Sequence, residues 1–161
     1  MSATGAGRYL AFELASELFA IEVERVEVVL DSATITRVPK APAHLRGVIN
    51  YRGVVIPVAD LRVRFGEAPS STANGVSIVV LQIHYGSENL TIGVLADKVH
   101  EVIDLDVSHI ERAPKLGAKI DDALIAGIGQ YGDRFIVILD IDEAFKAEAA
   151  DRSSERSAET Q

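Results

Sequence analysis

From Arg8 to Leu14 the chain alternates, with Leu10, Phe12 and Leu14 facing one way and Tyr9, Ala11 and Glu13 the other, which is the period of a half-buried strand. Ser16-Glu17 turns this run into Leu18 to Val23. Arg25 to Leu30 is apolar at 26, 28, 29 and 30; the run is too short for its period to decide, and its density of valine predicts a strand. Val76 to Ile83 is almost continuously apolar and reads as a strand buried on both faces, turned by Tyr85-Gly86-Ser87-Glu88 into Leu90 to Ala96. Another valine-rich strand is predicted from Lys98 to Leu105, followed by a polar connector holding Pro114 and Gly117. Leu124 to Tyr131 and Phe135 to Ile141 then form a hairpin around Gly132-Asp133. After Asp142 no β-branched residue occurs before Thr160, so a short helix starts near Asp142 and frays.

The stretch Gly47 to Phe65 organises the rest. Asn50-Tyr51-Arg52-Gly53 is a short polar break closed by glycine between branched apolar runs, a hairpin signal that puts Arg52 on a turn. Pro57, in the second arm, has no N–H to give to a ladder, so this hairpin is expected to border an exposed edge. The same design returns in Gly127 to Phe145, which overlays Gly47 to Phe65 without a gap and matches Tyr51 with Tyr131, Ile56 with Ile136, Asp60 with Asp140 and Phe65 with Phe145. Arg25 to Asp31 resembles Lys98 to Asp104, and Ile35 to Lys40 resembles Ile110 to Lys115, in the same order. One unit is therefore used twice. Val38-Pro39-Lys40-Ala41-Pro42 is a connector, because its prolines remove donors and hold the preceding residues extended. Gly66 to Gly75, rich in Gly, Pro, Ser and Asn, reads as a mobile loop between the halves.

These short, regularly spaced strands predict an all-β fold of two small barrels with little helix. Residues 1–7 are expected to be a disordered tail, 8–145 one domain made of two intertwined β subdomains, and 146–161 a frayed helix and solvated tail. The 161 residues, 48% of them apolar, are enough for such a core. With no cysteine there is neither a disulfide nor a thiolate metal site, and the short apolar runs suggest no secretory or membrane-spanning segment, so a cytoplasmic protein is expected. A formal charge of −8 argues against nucleic acid and anionic lipid as partners, and 6% aromatic residues without tryptophan against base stacking. Other proteins are the expected partners.

The motifs that could carry chemistry fail on context. Gly127-Ile128-Gly129-Gln130-Tyr131-Gly132 fits G-x-G-x-x-G, but a strand follows it where a dinucleotide site needs a helix N-terminus. Asp104 to Lys115 opens like a calcium loop, yet has His109 where glycine is required and Lys115 where a bidentate Glu is required. The histidines at 44, 84, 100 and 109 lack a metal-ligand spacing, and no serine sits in a nucleophile elbow. Asp60 and Asp140 share one structural slot, as carboxylates that cap a turn or a backbone N–H would. Arg52 differs, since its repeat partner is Gly132: the fold does not require it, and an arginine on a turn suits an interface anchor.

Several stretches together carry a resemblance to the CheW-type chemotaxis coupling proteins over Tyr9 to Phe145: Phe19-Ala20-Ile21, Val38-Pro39-Lys40-Ala41-Pro42, Gly47 to Gly53, Ile56-Pro57-Val58-Ala59-Asp60-Leu61-Arg62 and Gly93 to Val99 with Gly127. The resemblance implies two interlocked SH3-like β-barrels. It implies no enzyme and no cofactor, but an adaptor that links the cytoplasmic tips of chemoreceptors to the regulatory domain of a CheA-type histidine kinase in clustered arrays; a scaffold of a related motility or other CheA-like cascade is the alternative. A groove near the junction of the subdomains takes the receptor's helical hairpin tip in such proteins. Carried over by position, Arg52, Asn50 and Gly53 fall in the receptor- and kinase-coupling region, with Val26, Val28, Gly47 and Gly93 nearby or supporting it. Tyr51 stands where the family usually has leucine, and Val28 where it usually has an acid, which the duplicated unit keeps as Glu101.

Overall fold

The computed structural model describes residues 6–69, 76–106 and 124–146. The first repeat runs β1 (Ala6–Leu14), β2 (Glu17–Glu22), a 3-10 turn (Val23–Arg25), β3 (Val26–Asp31), β4 (Leu45–Tyr51), β5 (Val54–Ala59) and helix α1 (Leu61–Arg64). The second runs β6 (Ser77–Tyr85), β7 (Glu88–Ala96), β8 (Lys98–Asp106), β9 (Ile125–Tyr131), β10 (Arg134–Leu139) and helix α2 (Ile141–Ala144).

The strands form two five-stranded sheets, ordered β8-β1-β2-β10-β9 and β3-β6-β7-β5-β4. Each sheet takes its hairpin from one repeat and its other strands from the other repeat. Neighbours are antiparallel except β2 with β10, where Ala20 pairs with Ile138, and β5 with β7, where Val58 pairs with Gly93. Those pairings superimpose Ala20 on Gly93 and Ile138 on Val58, so the sheets are two versions of one SH3-like design. Their ladders stay open, ending at β8 and β9 in one and at β3 and β4 in the other.

Two-faced strands explain how the sheets interlock. In β1, Leu10, Phe12 and Leu14 enter a core shared with the second sheet, while Ala11 on the opposite face joins Leu18, Ala20, Ile103, Leu105, Ile136 and Ile138 inside the first. Ile78, Val79, Val80 and Leu81 in β6 are all fully buried, as expected of its unbroken apolar run. Phe19 stacks on Phe12 at 5.7 Å and on Phe65, just after α1, at 5.8 Å, a line of rings across the junction.

Asp60 and Asp140 occupy their common slot as helix caps, accepting the Arg62 and Glu143 N–H groups, each at 3.1 Å. Pro57 lies in β5, inside the sheet, and β4 is the edge. Val48 gives both its N–H and its carbonyl to Thr36, so toward Pro57 it makes a non-hydrogen-bonded pair. On the other side the β7 ladder begins only at Val58, so no N–H is needed at Pro57. Strand β1 begins at Ala6, earlier than expected: Ala6 and Gly7 pair with Asp106 and Leu105 and belong to the sheet, not to a disordered tail. Of the tails expected at 1–7 and 146–161, residues 1–5 and 147–161 lie outside the described residues, as do the connector around Pro114 and Gly117 and residues 70–75 of the loop expected over Gly66 to Gly75.

Candidate protein-binding site

All the residues assigned to coupling by position fall in the second sheet: Val26 and Val28 on β3, Gly47 and Asn50 on β4, Arg52 and Gly53 on the β4–β5 turn, and Gly93 on β7. Tyr51 pairs with Val54, leaving Arg52 and Gly53 as a two-residue turn with φ of +54° and +81°. This turn suits the strand twist of a hairpin, but holding a non-glycine residue in the left-handed region costs about 1–2 kcal/mol. The second repeat puts Gly132, at φ +64°, in the position of Arg52. An arginine is thus kept where glycine would meet no steric cost.

The side chains around the turn have separate tasks. Asn50 Oδ1 accepts the Gly53 N–H at 2.9 Å and so fixes the turn. The Arg52 guanidinium lies 5.1 Å from the Tyr51 ring centroid, a cation over an aromatic face. Val54 and Val55, 56% and 57% exposed, follow the turn as two apolar side chains on opposite faces of β5. Sequence reasoning did not single out these valines. The repeat held a clue, because Val54 corresponds to Arg134, and a position that accepts an arginine in the second copy faces solvent in this architecture.

Gly47 and Gly93 act through the fold. A Cβ on Gly47, whose φ is +150°, would lie 2.2 Å from the Thr36 carbonyl oxygen, and one on Gly93 would lie 2.7 Å from Ile78 Cγ2. Gly47 lets the connector bridge to β4, and Gly93 lets β7 pass close to β6. Val26 and Val28 are half-buried on the opposite edge strand and, with Tyr51, pack against one core. In the first sheet a side-chain bond links the two edge strands, Tyr131 Oη donating to Glu101 Oε2 at 3.2 Å. The equivalent pair in the second sheet is Tyr51 and Val28, so that carboxylate link is absent there.

An ion pair anchors the neighbouring junction. Arg25 donates from both terminal nitrogens to the Asp142 carboxylate at 2.8 and 2.6 Å, and Asp142 Oδ1 also accepts the His84 N–H at 2.8 Å. Burial pushes the Asp142 carboxyl up, but the hydrogen bonds from Arg25 and His84 and the Arg25 charge outweigh it and hold the group below its ordinary value. The Arg25 guanidinium is raised, chiefly by its hydrogen bond to Asp142. In the first sheet His100 Nε2 lies 2.6 Å from Glu13 Oε2, and this hydrogen bond, reinforced by nearby positive charge, lowers the Glu13 carboxyl. Among the described residues no group of histidines and carboxylates is arranged to hold a metal ion, and no helix is long and apolar enough to cross a membrane.

Two sheets of one SH3-like design, with an arginine on an exposed turn of the second, make up the fold. The chain belongs to the CheW-like family of chemotaxis adaptors, the model of the CheW-like domain matching residues 8–149. It is 29% identical to the chemotaxis protein CheW of Klebsiella aerogenes over 140 residues, covering 87% of this chain and 82% of that protein. Against the chemotaxis protein CheW of Thermotoga maritima it is 31% identical over 143 residues, with 83% and 84% covered. The crystal structure of the scaffolding protein TtCheW from Thermoanaerobacter tengcongensis superimposes with a TM-score of 0.74 at 33% identity, covering 86% of this chain and 92% of that one.

Proposed function

We propose that the protein is a non-enzymatic, cytoplasmic adaptor that couples chemoreceptor tips to the regulatory domain of a CheA-type histidine kinase in arrays at membrane-bound receptors. The observation that carries this reading is Arg52, held left-handed at an exposed turn that the duplicated unit builds with glycine. Strain retained where the fold does not require it is a mark of function, and arginine is enriched among interface anchors. In this reading Arg52 makes the central contact, Asn50 and Gly53 shape its turn, Val26 and Val28 offer an apolar edge, and Gly47 and Gly93 keep the sheet in register. Such a protein changes no bond. It raises the effective concentration of kinase at receptor and passes a receptor displacement on through two interfaces.

The test is calorimetric titration of the purified protein with the regulatory domain of the kinase and, separately, with a receptor-tip fragment. Saturable one-to-one heat is expected, weakened by roughly tenfold or more in Arg52→Glu with the circular dichroism spectrum unchanged. Absence of heat with both partners, the protein being folded, would overturn the adaptor reading, and unchanged affinity in Arg52→Glu would remove this residue from the site.

A further inference from the structure

A second surface lies on the first sheet. A cleft of about 270 Å³ opens between β2, the β9–β10 pair and the residues that follow α1, with Leu18, Phe19, Phe65 and Val137 among its walls. That is below the roughly 300–1,000 Å³ of small-molecule sites and suits one leucine or phenylalanine side chain. Phe135, on its lining, is 72% exposed, more than any other large apolar side chain among the described residues.

The charges of the cleft are unevenly satisfied. Glu17, Glu67 and Arg134 all line it. Arg134 is committed, donating to the Ser16 carbonyl at 3.1 Å and lying 3.6 Å from Glu13. Arg62, 3.4 Å from Glu67, offsets one of the two carboxylates. Burial and the negative field of Glu67 push the Glu17 carboxyl up, against a smaller opposing effect of Arg62. The rim is also strained: Ala15 and Ser16 both have positive φ, +55° and +70°, and Asp97 holds the turn by accepting the Ala15 N–H at 2.7 Å. In the superimposed second sheet, Glu17 corresponds to Leu90 and Arg134 to Val54. The fold works without these charges.

The geometry points to a docking site for a partner-protein segment that presents one large apolar side chain beside a lysine or arginine. The apolar group enters between Phe135 and the Phe19–Phe65 stack, and the cation meets Glu17 and Glu67. The cleft shares no residue with the Arg52 surface, so this assignment stands apart from the receptor and kinase reading.

The test is an amide-shift titration of the ¹⁵N-labelled full chain with the peptide acetyl-Ala-Lys-Phe-Lys-Ala-amide, against a control with both lysines replaced by glutamate. Saturable shifts confined to the amides of Glu17 to Phe19, Glu67 and Arg134 to Val137 are expected, with the control binding at least about fivefold more weakly. Glu17→Gln with Glu67→Gln should weaken the lysine peptide about threefold, and Phe135→Ala, which removes a solvent-facing ring, about tenfold, while Arg52→Glu leaves binding unchanged. Equal affinity of the two peptides, shifts elsewhere on the protein, or no saturable shift would each overturn the proposal.

Discussion

Replacing Arg52 by glycine and, separately, by alanine distinguishes the cost of its backbone from the work of its side chain. Relief of the left-handed conformation is worth about 1–2 kcal/mol. Glycine gives back about 0.5–1 kcal/mol of that through the greater freedom of its unfolded chain. Both substitutions lose the contact with Tyr51, about 0.5–1 kcal/mol at an exposed site. Arg52→Ala keeps the strain and loses the ring contact, so it should be about 0.5–1 kcal/mol less stable than the parent. Arg52→Gly should stay within about 1 kcal/mol of the parent and above the alanine variant. At about 2–4 °C per kcal/mol for a chain of this size, glycine should melt roughly 1–4 °C higher than alanine by scanning calorimetry, while both variants lose partner affinity alike. A glycine variant less stable than the alanine one would refute the strained turn; full kinase or receptor affinity without the guanidinium would refute its use.

Gly93→Ala should cost about 1–3 kcal/mol in urea unfolding through overpacking against Ile78, and Ile78→Leu, which lacks the γ2 branch, should restore part of it. A double-mutant cycle on Arg25→Met and Asp142→Asn should return a coupling of about 1–2 kcal/mol, moderated by the 32% exposure of the Asp142 side chain. Glu13 and Asp142 bind protons less readily folded than unfolded, so their stabilisation is complete above their ordinary values of 4.5 and 3.8 and is lost as pH falls through the lower folded values. Urea midpoints followed into acid should therefore fall less steeply in Glu13→Gln combined with Asp142→Asn than in the parent.

Much of the fold was legible because its signals are local. The gap-free match of Gly47 to Phe65 with Gly127 to Phe145 exposed the duplication, and Asp60 and Asp140 announced the same cap twice. Interlocking was implied by the family resemblance, but which hairpin is exchanged was not legible, since whether β1–β2 pairs with β3 or with β8 is a tertiary choice that alternation alone does not encode. Helix α1, Leu61–Arg64, is too short to show a helical period, and its only signal is the capping Asp60. At the site, the turn around Arg52 could be read from Asn50 and Gly53, but the strain could not, nor the exposure of Val54 and Val55 within an apolar run. The opposition of Glu17 and Glu67 arises only when α1 is folded against β2, which no local pattern reports.

The crossings between the sheets are short. The chain passes from β2 to β3 through Val23–Arg25 alone, and from β7 to β8 through Asp97 alone. Neither passage is long enough to serve as a flexible linker, and Arg25 is itself clamped to Asp142 at the start of α2. The sheets are therefore joined by two tight crossings, one of them tied by an ion pair. In the proposed adaptor, a partner seated on one sheet is thereby set in distance and angle against a partner seated on the other, and a change that loosens either crossing is expected to degrade that spacing first.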